Sequence, residues 1–339
     1  MPNLFGITRD DLEKYFLSIG EKKYKALQVY EWLYEQRVFN IDEFSNIKKE
    51  VRDKLKNDFT TDLIQIEKKQ VADLTEKYLF RLHDNEFIEA VVMHHDYGVS
   101  ICVSSQVGCN MGCRFCESGR LKKVRNLDAY EIVEQILVIE KDLGLKINSV
   151  VIMGIGEPLD NYDNIVNFIK IINDAKGLKI GARHITVSTC GLVPKIYDLS
   201  HIGIPINLAI SFHAPTDELR SKLMPVNKVY SIDVLIKAIR DFLQVTSRRV
   251  TIEYVMLNNV NDSIDDAKEL AHLFKGMNIY VNLIPYNETN HLEFKRSSKN
   301  RIKAFYDTLK KEGINVTIRK EFGRNIDAAC GQLRGRRSE

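Results

Sequence analysis

Three cysteines crowd one short stretch of this 339-residue sequence, Gly108-Cys109-Asn-Met-Gly-Cys113-Arg-Phe-Cys116, with the spacing C-x3-C-x2-C. Three thiolates on one loop suit a soft metal centre. Two occupants fit the spacing. A structural zinc is closed by four ligands, and the fourth would have to come from afar, from His95 or His184. An iron–sulfur cluster held by three protein ligands leaves one iron open to a small molecule. The remaining cysteines, Cys102, Cys190 and Cys330, bring the total to six. The polar, charge-mixed start from Met1 to Lys14 carries no signal peptide. A disulfide framework is therefore not expected, and close cysteine spacing reads as metal or redox chemistry.

Other polar groups recur where strands should end. Met153-Gly-Ile-Gly156-Glu157-Pro158 closes one apolar run; glycines there let a ligand approach the backbone, and Glu157 can accept from an ammonium. Ser188, Ser211-Phe212-His213 and Asn287 close three more. Singly, each is an ordinary turn or cap. Gathered at one end of one sheet, they make a site.

The elements that must position these groups follow from periodicity. Leu12, Tyr15, Phe16 and Ile19 predict a first helix ended by Gly20. Leu27, Tyr30, Leu33 and Tyr34 predict a second over about 22–37, and a third runs through 47–55. Residues 1–60 thus read as a helical accessory domain with its own lysines, and 61–99 as a β-rich linker region containing strands 77–82 and 87–93. From 100 to 339 strands and helices alternate. Strands are expected at 100–104, 148–153, 184–188, 206–211, 250–256, 279–284 and 315–319; helices at 128–143, 161–174, 231–246, 263–274 and 298–312. Repeated βα units mean a parallel sheet with right-handed crossovers, here an α/β partial (β/α)6 barrel with its own core. Functional groups collect at the carboxyl ends of such strands. The net charge of +3 permits a nucleic-acid partner without demanding one. No apolar run reaches transmembrane length, so a cytoplasmic location is expected, with no membrane partner.

The cysteine spacing resembles the signature of the radical S-adenosylmethionine (SAM) superfamily. That resemblance implies a partial barrel, one [4Fe-4S] cluster on Cys109, Cys113 and Cys116, and SAM chelated to the open iron and cleaved to a radical. It also implies SAM contacts at Gly156, Glu157, Ser188, Ser211, Phe212, His213 and Asn287. The runs Cys102-Val-Ser-Ser-Gln-Val-Gly-Cys109, Met153 to Pro158, Ser211 to Pro215, Glu253-Tyr-Val-Met256, Val260-Asn-Asp262 and Asp327-Ala-Ala-Cys330-Gly-Gln-Leu333 resemble the RlmN/Cfr family of adenine methyltransferases. This implies an amino-terminal RNA-binding domain and methylation of an adenine carbon in 23S rRNA, with tRNA as a further substrate. Two SAM molecules are used per turnover, and an electron donor such as flavodoxin or ferredoxin is required. Cys330 matches the methyl-carrying thiol, Cys102 the thiol that releases the RNA, Glu89 the proton acceptor and Met153 a methionine near the substrate.

The sequence departs from that family after the cluster cysteines, where Glu117-Ser118-Gly119 replaces a small residue, threonine and glycine, and at Cys190, where serine is usual. Val107 and Ile284-Pro-Tyr-Asn287 resemble RlmN, which methylates C2. The stretches 222–227 and 243–249 resemble Cfr, which methylates C8 and confers antibiotic resistance. C2 is the expected position. The rivals are a Cfr-like C8 enzyme and a non-catalytic, zinc-dependent RNA-binding protein.

Overall fold

The computed structural model describes residues 1–289, 291–320, 323 and 326–335. Of the basic run Arg334-Gly-Arg-Arg337 near the carboxyl terminus, Arg336 and Arg337 lie outside them. Among the described residues twelve strands run in chain order as β1 (Gln65–Ala72), β2 (Thr75–Arg81), β3 (Phe87–His95), β4 (Gly98–Cys102), β5 (Gln106–Val107), β6 (Arg125–Asn126), β7 (Ser149–Ile152), β8 (Ile185–Thr189), β9 (Asn207–Ser211), β10 (Val250–Met256), β11 (Ile279–Pro285) and β12 (Val316–Ile318). The α-helices are α1 (Arg9–Ser18), α2 (Tyr24–Tyr30), α3 (Lys49–Asp58), α4 (Ala129–Leu143), α5 (Tyr162–Asn173), α6 (Val193–Ser200), α7 (Asp217–Leu223), α8 (Ile232–Thr246), α9 (Ile264–Leu273) and α10 (Lys299–Lys311).

Ten strands form one sheet in the order β1-β2-β3-β4-β7-β8-β9-β10-β11-β12. From β4 to β12 every pairing is parallel. Helices fill each crossover, which is the expected partial barrel: β4 and β12 do not pair, so the barrel stays open among the described residues. The crossover helices form where the sequence dictates. The α4 helix starts at a capping box, Asp128 with Glu131, and stops at Gly144, whose φ of +63° ends the helix without a Cβ penalty. In α5, Ile165, Phe168, Ile169 and Ile172 form the buried stripe.

The antiparallel strands β1–β3 are continuous with this sheet, because β3 pairs with β4 (Val91 opposite Cys102). The helical segment joins the same core. Phe5, Phe16, Tyr30 and Tyr34 are fully or almost fully buried in one apolar cluster with Ile132, Ile136 and Leu137 of α4. Tyr34 donates to the Phe5 carbonyl at 3.0 Å and Tyr30 to the Ile7 carbonyl. Apolar burial, the dominant folding term, thus runs across the boundary near residue 60. The second helix is shorter than expected, since α2 gives way to a single π-type turn at Glu31–Glu35. Among the described residues no helix is long and apolar enough to cross a membrane.

Candidate active site

The cysteine loop leaves β4 and returns through the two-residue ribbon of β5 and β6. Gly108, at φ +74°, is required there, for a Cβ would lie 2.1 Å from the Lys122 carbonyl oxygen. Cys109 N–H donates to Leu121 O, Cys116 N–H to Cys113 O, and Arg114 N–H to Leu223 O at the end of α7. All three thiols line one cavity at the carboxyl ends of the parallel strands, about 1060 Å³ including its open mouth. Among the described residues no three His, Cys, Asp or Glu converge closely enough to hold a single metal ion. Three thiols around one shared space are the donor set of an iron–sulfur cluster with one open position.

The strand ends supply the rest of the wall. Met153, Gly156, Glu157, Ser188, Ser211, His213 and Asn287 all line the cavity with the cysteines, as expected. Phe212 does not: it is fully buried behind the strand ends, edge-on to Phe274 at 5.0 Å. The turn at Gly156 (φ +106°) packs against Gln106, whose Oε1 accepts from Glu157 N–H at 2.9 Å. The Glu157 carboxylate joins two strand ends, accepting from Leu159 N–H (3.0 Å) and Cys190 N–H (2.8 Å). Burial pushes its carboxyl above the usual carboxylate range, opposed by hydrogen bonds from Cys190, Thr189 and Leu159. Asn287 Oδ1 is buried without a partner, a polar atom left for a ligand. His213, at φ +61°, accepts from Val255 N–H through Nδ1, leaving the proton on Nε2. Burial and then the Arg220 guanidinium hold its pKa at about 3, so it stays neutral.

Sequence reasoning missed Arg220. Its guanidinium is fully buried and donates to the carbonyls of Cys190 (2.7 Å), Phe212 (3.1 Å) and Ser211 (3.2 Å) and to Asn227 Oδ1 (2.9 Å). It fastens the ends of β8 and β9 beneath the cluster loop. An arginine in a short helix beside Asp217, Glu218 and Lys222 gave no signal of burial.

Cys102 and Cys330 line a second, smaller cavity together with Met153, Asn287 and Arg319; those last two, Met153 and Cys330 also line the first. Burial pushes the Cys102 thiol up to about 12, opposed by the Arg319 guanidinium. Cys330 is exposed at the rim; desolvation on its cavity side raises its thiol, and Arg319 again opposes the rise. Its segment is sewn to the cluster loop by Glu117 N–H to Gly331 O and Ser118 Oγ–H to Leu333 O, both 2.8 Å. The residues after the cluster that depart from the family therefore hold the Cys330 segment. Glu117 itself is buried, with Oε2 accepting from Arg120 and Oε1 unpartnered. Cys190 is buried against Glu157. Glu89 lines neither cavity; it binds the backbone just beyond Cys330.

A cysteine loop of this kind at the mouth of a partial parallel barrel defines the radical SAM class, whose superfamily profile matches residues 103–274. This class uses a [4Fe-4S] cluster and SAM, and the open-ended thiol set, Glu157 and Asn287 fit those two groups. A second profile, the ribosomal RNA large subunit methyltransferase N-terminal domain, matches residues 2–60. The chain is 51% identical over 332 residues to a probable dual-specificity RNA methyltransferase RlmN of Acholeplasma laidlawii, covering 98% of each chain. It is also 51% identical over 343 residues to one of Enterococcus faecalis, covering 98% of this chain and 96% of that one. A crystal structure of a radical SAM methyltransferase from Sphaerobacter thermophilus superposes with a TM-score of 0.93 at 39% identity, covering 99% of this chain and all of that one. The chain belongs to the RlmN family of radical SAM methyltransferases.

Proposed function

We propose that this radical SAM RNA methyltransferase acts in the cytoplasm on C2 of an adenine in 23S rRNA and in tRNA, through a methyl group carried on Cys330. The observation that carries this reading is the meeting of Cys330 and Cys102 in a cavity that shares Met153 and Cys330 with the cysteine-loop cavity. Adenine C2 is an electron-poor amidine carbon, so direct polar methyl transfer cannot reach it. A thiol that is methylated first, then converted to a carbon radical, can.

Cys109, Cys113 and Cys116 would hold the cluster, and Glu157 and Asn287 the polar end of SAM. When bound and reduced by a flavodoxin or ferredoxin, the cluster and SAM would supply a radical able to remove a hydrogen atom from the methyl group on Cys330, and the oxidised cluster would be the acceptor for the one electron that the RNA adduct must then lose. The chain's own groups do the rest. The Cys330 methylene adds to the base and ties the RNA to the protein. Glu89 accepts the C2 proton. Cys102 then attacks the Cys330 sulfur, breaking the sulfur–carbon bond as the disulfide forms, and the freed carbon takes a proton. The RNA contacts of the 1–60 segment follow from its family match and its lysines. Mass spectrometry of digested RNA modified by the enzyme tests the reading: 2-methyladenosine supports it, and exclusive 8-methyladenosine overturns the C2 assignment.

A further inference from the structure

The segment 326–335 crosses the active-site mouth as a strap with Cys330 near its middle. One side is fixed to the cluster loop through Glu117 and Ser118. The other is fixed to the antiparallel extension by one buried ion pair, Lys77 on β2 and Glu89 on β3, whose Nζ and Oε1 lie 3.1 Å apart. Lys77 Nζ also donates to Asp327 O at 3.2 Å, before Cys330. Glu89 Oε2 accepts from the N–H groups of Arg334 (2.6 Å) and Gly335 (3.1 Å), after it. Gly335, at φ +60°, lies so close to β3 that a Cβ would sit 2.7 Å from Phe87 O.

Both ions are almost fully buried, at 8% and 5% exposure. A buried pair recovers its desolvation cost only if its remaining donors and lone pairs are used. Here the strap's backbone uses them. The pair and the strap position are therefore coupled: lifting the strap strips three hydrogen bonds from two buried ions.

We propose that Lys77 is a positioning residue for Cys330, clasping the strap over the cavity through Glu89, and that Glu89 becomes free to take a proton only when the Arg334 and Gly335 amides leave it. This rests on the reading of Cys330 as methyl carrier and Glu89 as proton acceptor. The same carboxylate has two exclusive partners. With the strap down, it orients Cys330 for loading; with the strap lifted by the entering RNA, it faces the base. Proton removal is thereby confined to the state in which substrate has displaced the strap.

The test uses cluster-loaded enzyme under anaerobic conditions. In Lys77→Met, alkylation of Cys330 by iodoacetamide should run about tenfold faster, the factor for losing one charge-assisted hydrogen bond. Methyl loading from labelled SAM without RNA should slow, with iron content and visible absorption unchanged, and Lys77→Arg should restore both rates. Wild-type alkylation and loading in Lys77→Met would overturn the clasp. Hydrogen exchange on wild-type enzyme needs no variant: the Arg334 and Gly335 amides should be protected without RNA, and unprotected amides would overturn it equally. Glu89→Gln removes the base and also breaks the ion pair, since with its amide oxygen on the strap its NH2 group faces the Lys77 ammonium. It should speed Cys330 alkylation as Lys77→Met does and, unlike Lys77→Met, stall with RNA attached. Normal RNA turnover by Glu89→Gln would remove the proton-acceptor reading on which the proposal rests, while its strap behaviour still reported on the clasp.

Discussion

Asn3 Nδ2 donates to Glu134 Oε1 at 2.8 Å, joining the first turn of the chain to the middle of α4. The other carboxylate oxygen accepts from Ile64 N–H at 3.0 Å. Glu134 is fully buried, and burial raises its carboxyl well above the usual range. Deleting residues 1–60 removes Asn3 and strips Phe5, Tyr30 and Tyr34 from α4. The truncated protein should be insoluble or markedly less stable, and should not retain its cluster as an independent domain would. Asn3→Ala should cost about 1–3 kcal/mol, the penalty for unpairing a buried polar group, measured by denaturant unfolding. A truncated protein that melts like the full chain would refute the shared core.

Each of the three loop cysteines should be indispensable to the cluster. Alanine at Cys109, Cys113 or Cys116 should reduce bound iron severely and abolish SAM cleavage, read by iron assay and by release of 5′-deoxyadenosine. Cys190→Ser, by contrast, should keep iron near wild type.

Arg220→Met should destabilise the apoprotein by roughly 3 kcal/mol or more, because four acceptors lose a charged donor at once. Asn227→Ala, which removes one of the four, should cost about 1–2 kcal/mol. Equal midpoints for Arg220→Met and wild type in urea would contradict the bracing role.

Cys102 gives a pH signature. Its thiol is raised from an ordinary 9.0 to about 12, chiefly by burial. The folded state therefore holds a proton that the unfolded state releases first. Its contribution to stability is complete below pH 9 and is lost as pH climbs from 9 toward 12. Alkylation of Cys102 in the RNA-free enzyme should keep rising with pH, with no plateau below pH 10. A plateau near neutrality would show a thiolate that this environment does not stabilise.

The two outer cysteines should fail differently. Cys330→Ala cannot load a methyl group and should give no RNA adduct. Cys102→Ala should load and attack the RNA, then accumulate as a covalent conjugate that survives denaturing gels and vanishes on nuclease digestion. The reverse pattern would exchange the two roles.

Long amphipathic helices and buried parallel strands were legible because each writes its period into the sequence; α4, α5, α8, α9 and α10 begin and end within a residue or two of expectation. The β1 strand was not, because it is the outer strand of the sheet, largely exposed and charged through Glu67, Lys68 and Lys69, with a register shift between Ile66 and Lys68. Its neighbour supplies the pairing that its own pattern does not announce. Motif spacing placed the metal-binding loop, the Gly156-Glu157 turn and Asn287 around one space. It could not tell that Phe212, inside a site motif, turns into the core. Nor could it find Glu89 against Arg334, a contact spanning 245 positions of chain that only the tertiary fold creates.

The pairing of β3 with β4 sets a rule for building chimeras in this family. By chain order β1–β3 belong with the amino-terminal half, yet Lys77 and Glu89 reach the strap, and β3 covers what would otherwise be an open, aggregation-prone edge of β4. An exchange of amino-terminal helical segments should be spliced before Gln65, leaving the hairpins with the barrel they complete. A junction near residue 99 would transplant half of an active-site clasp into a host whose strap had evolved against another partner.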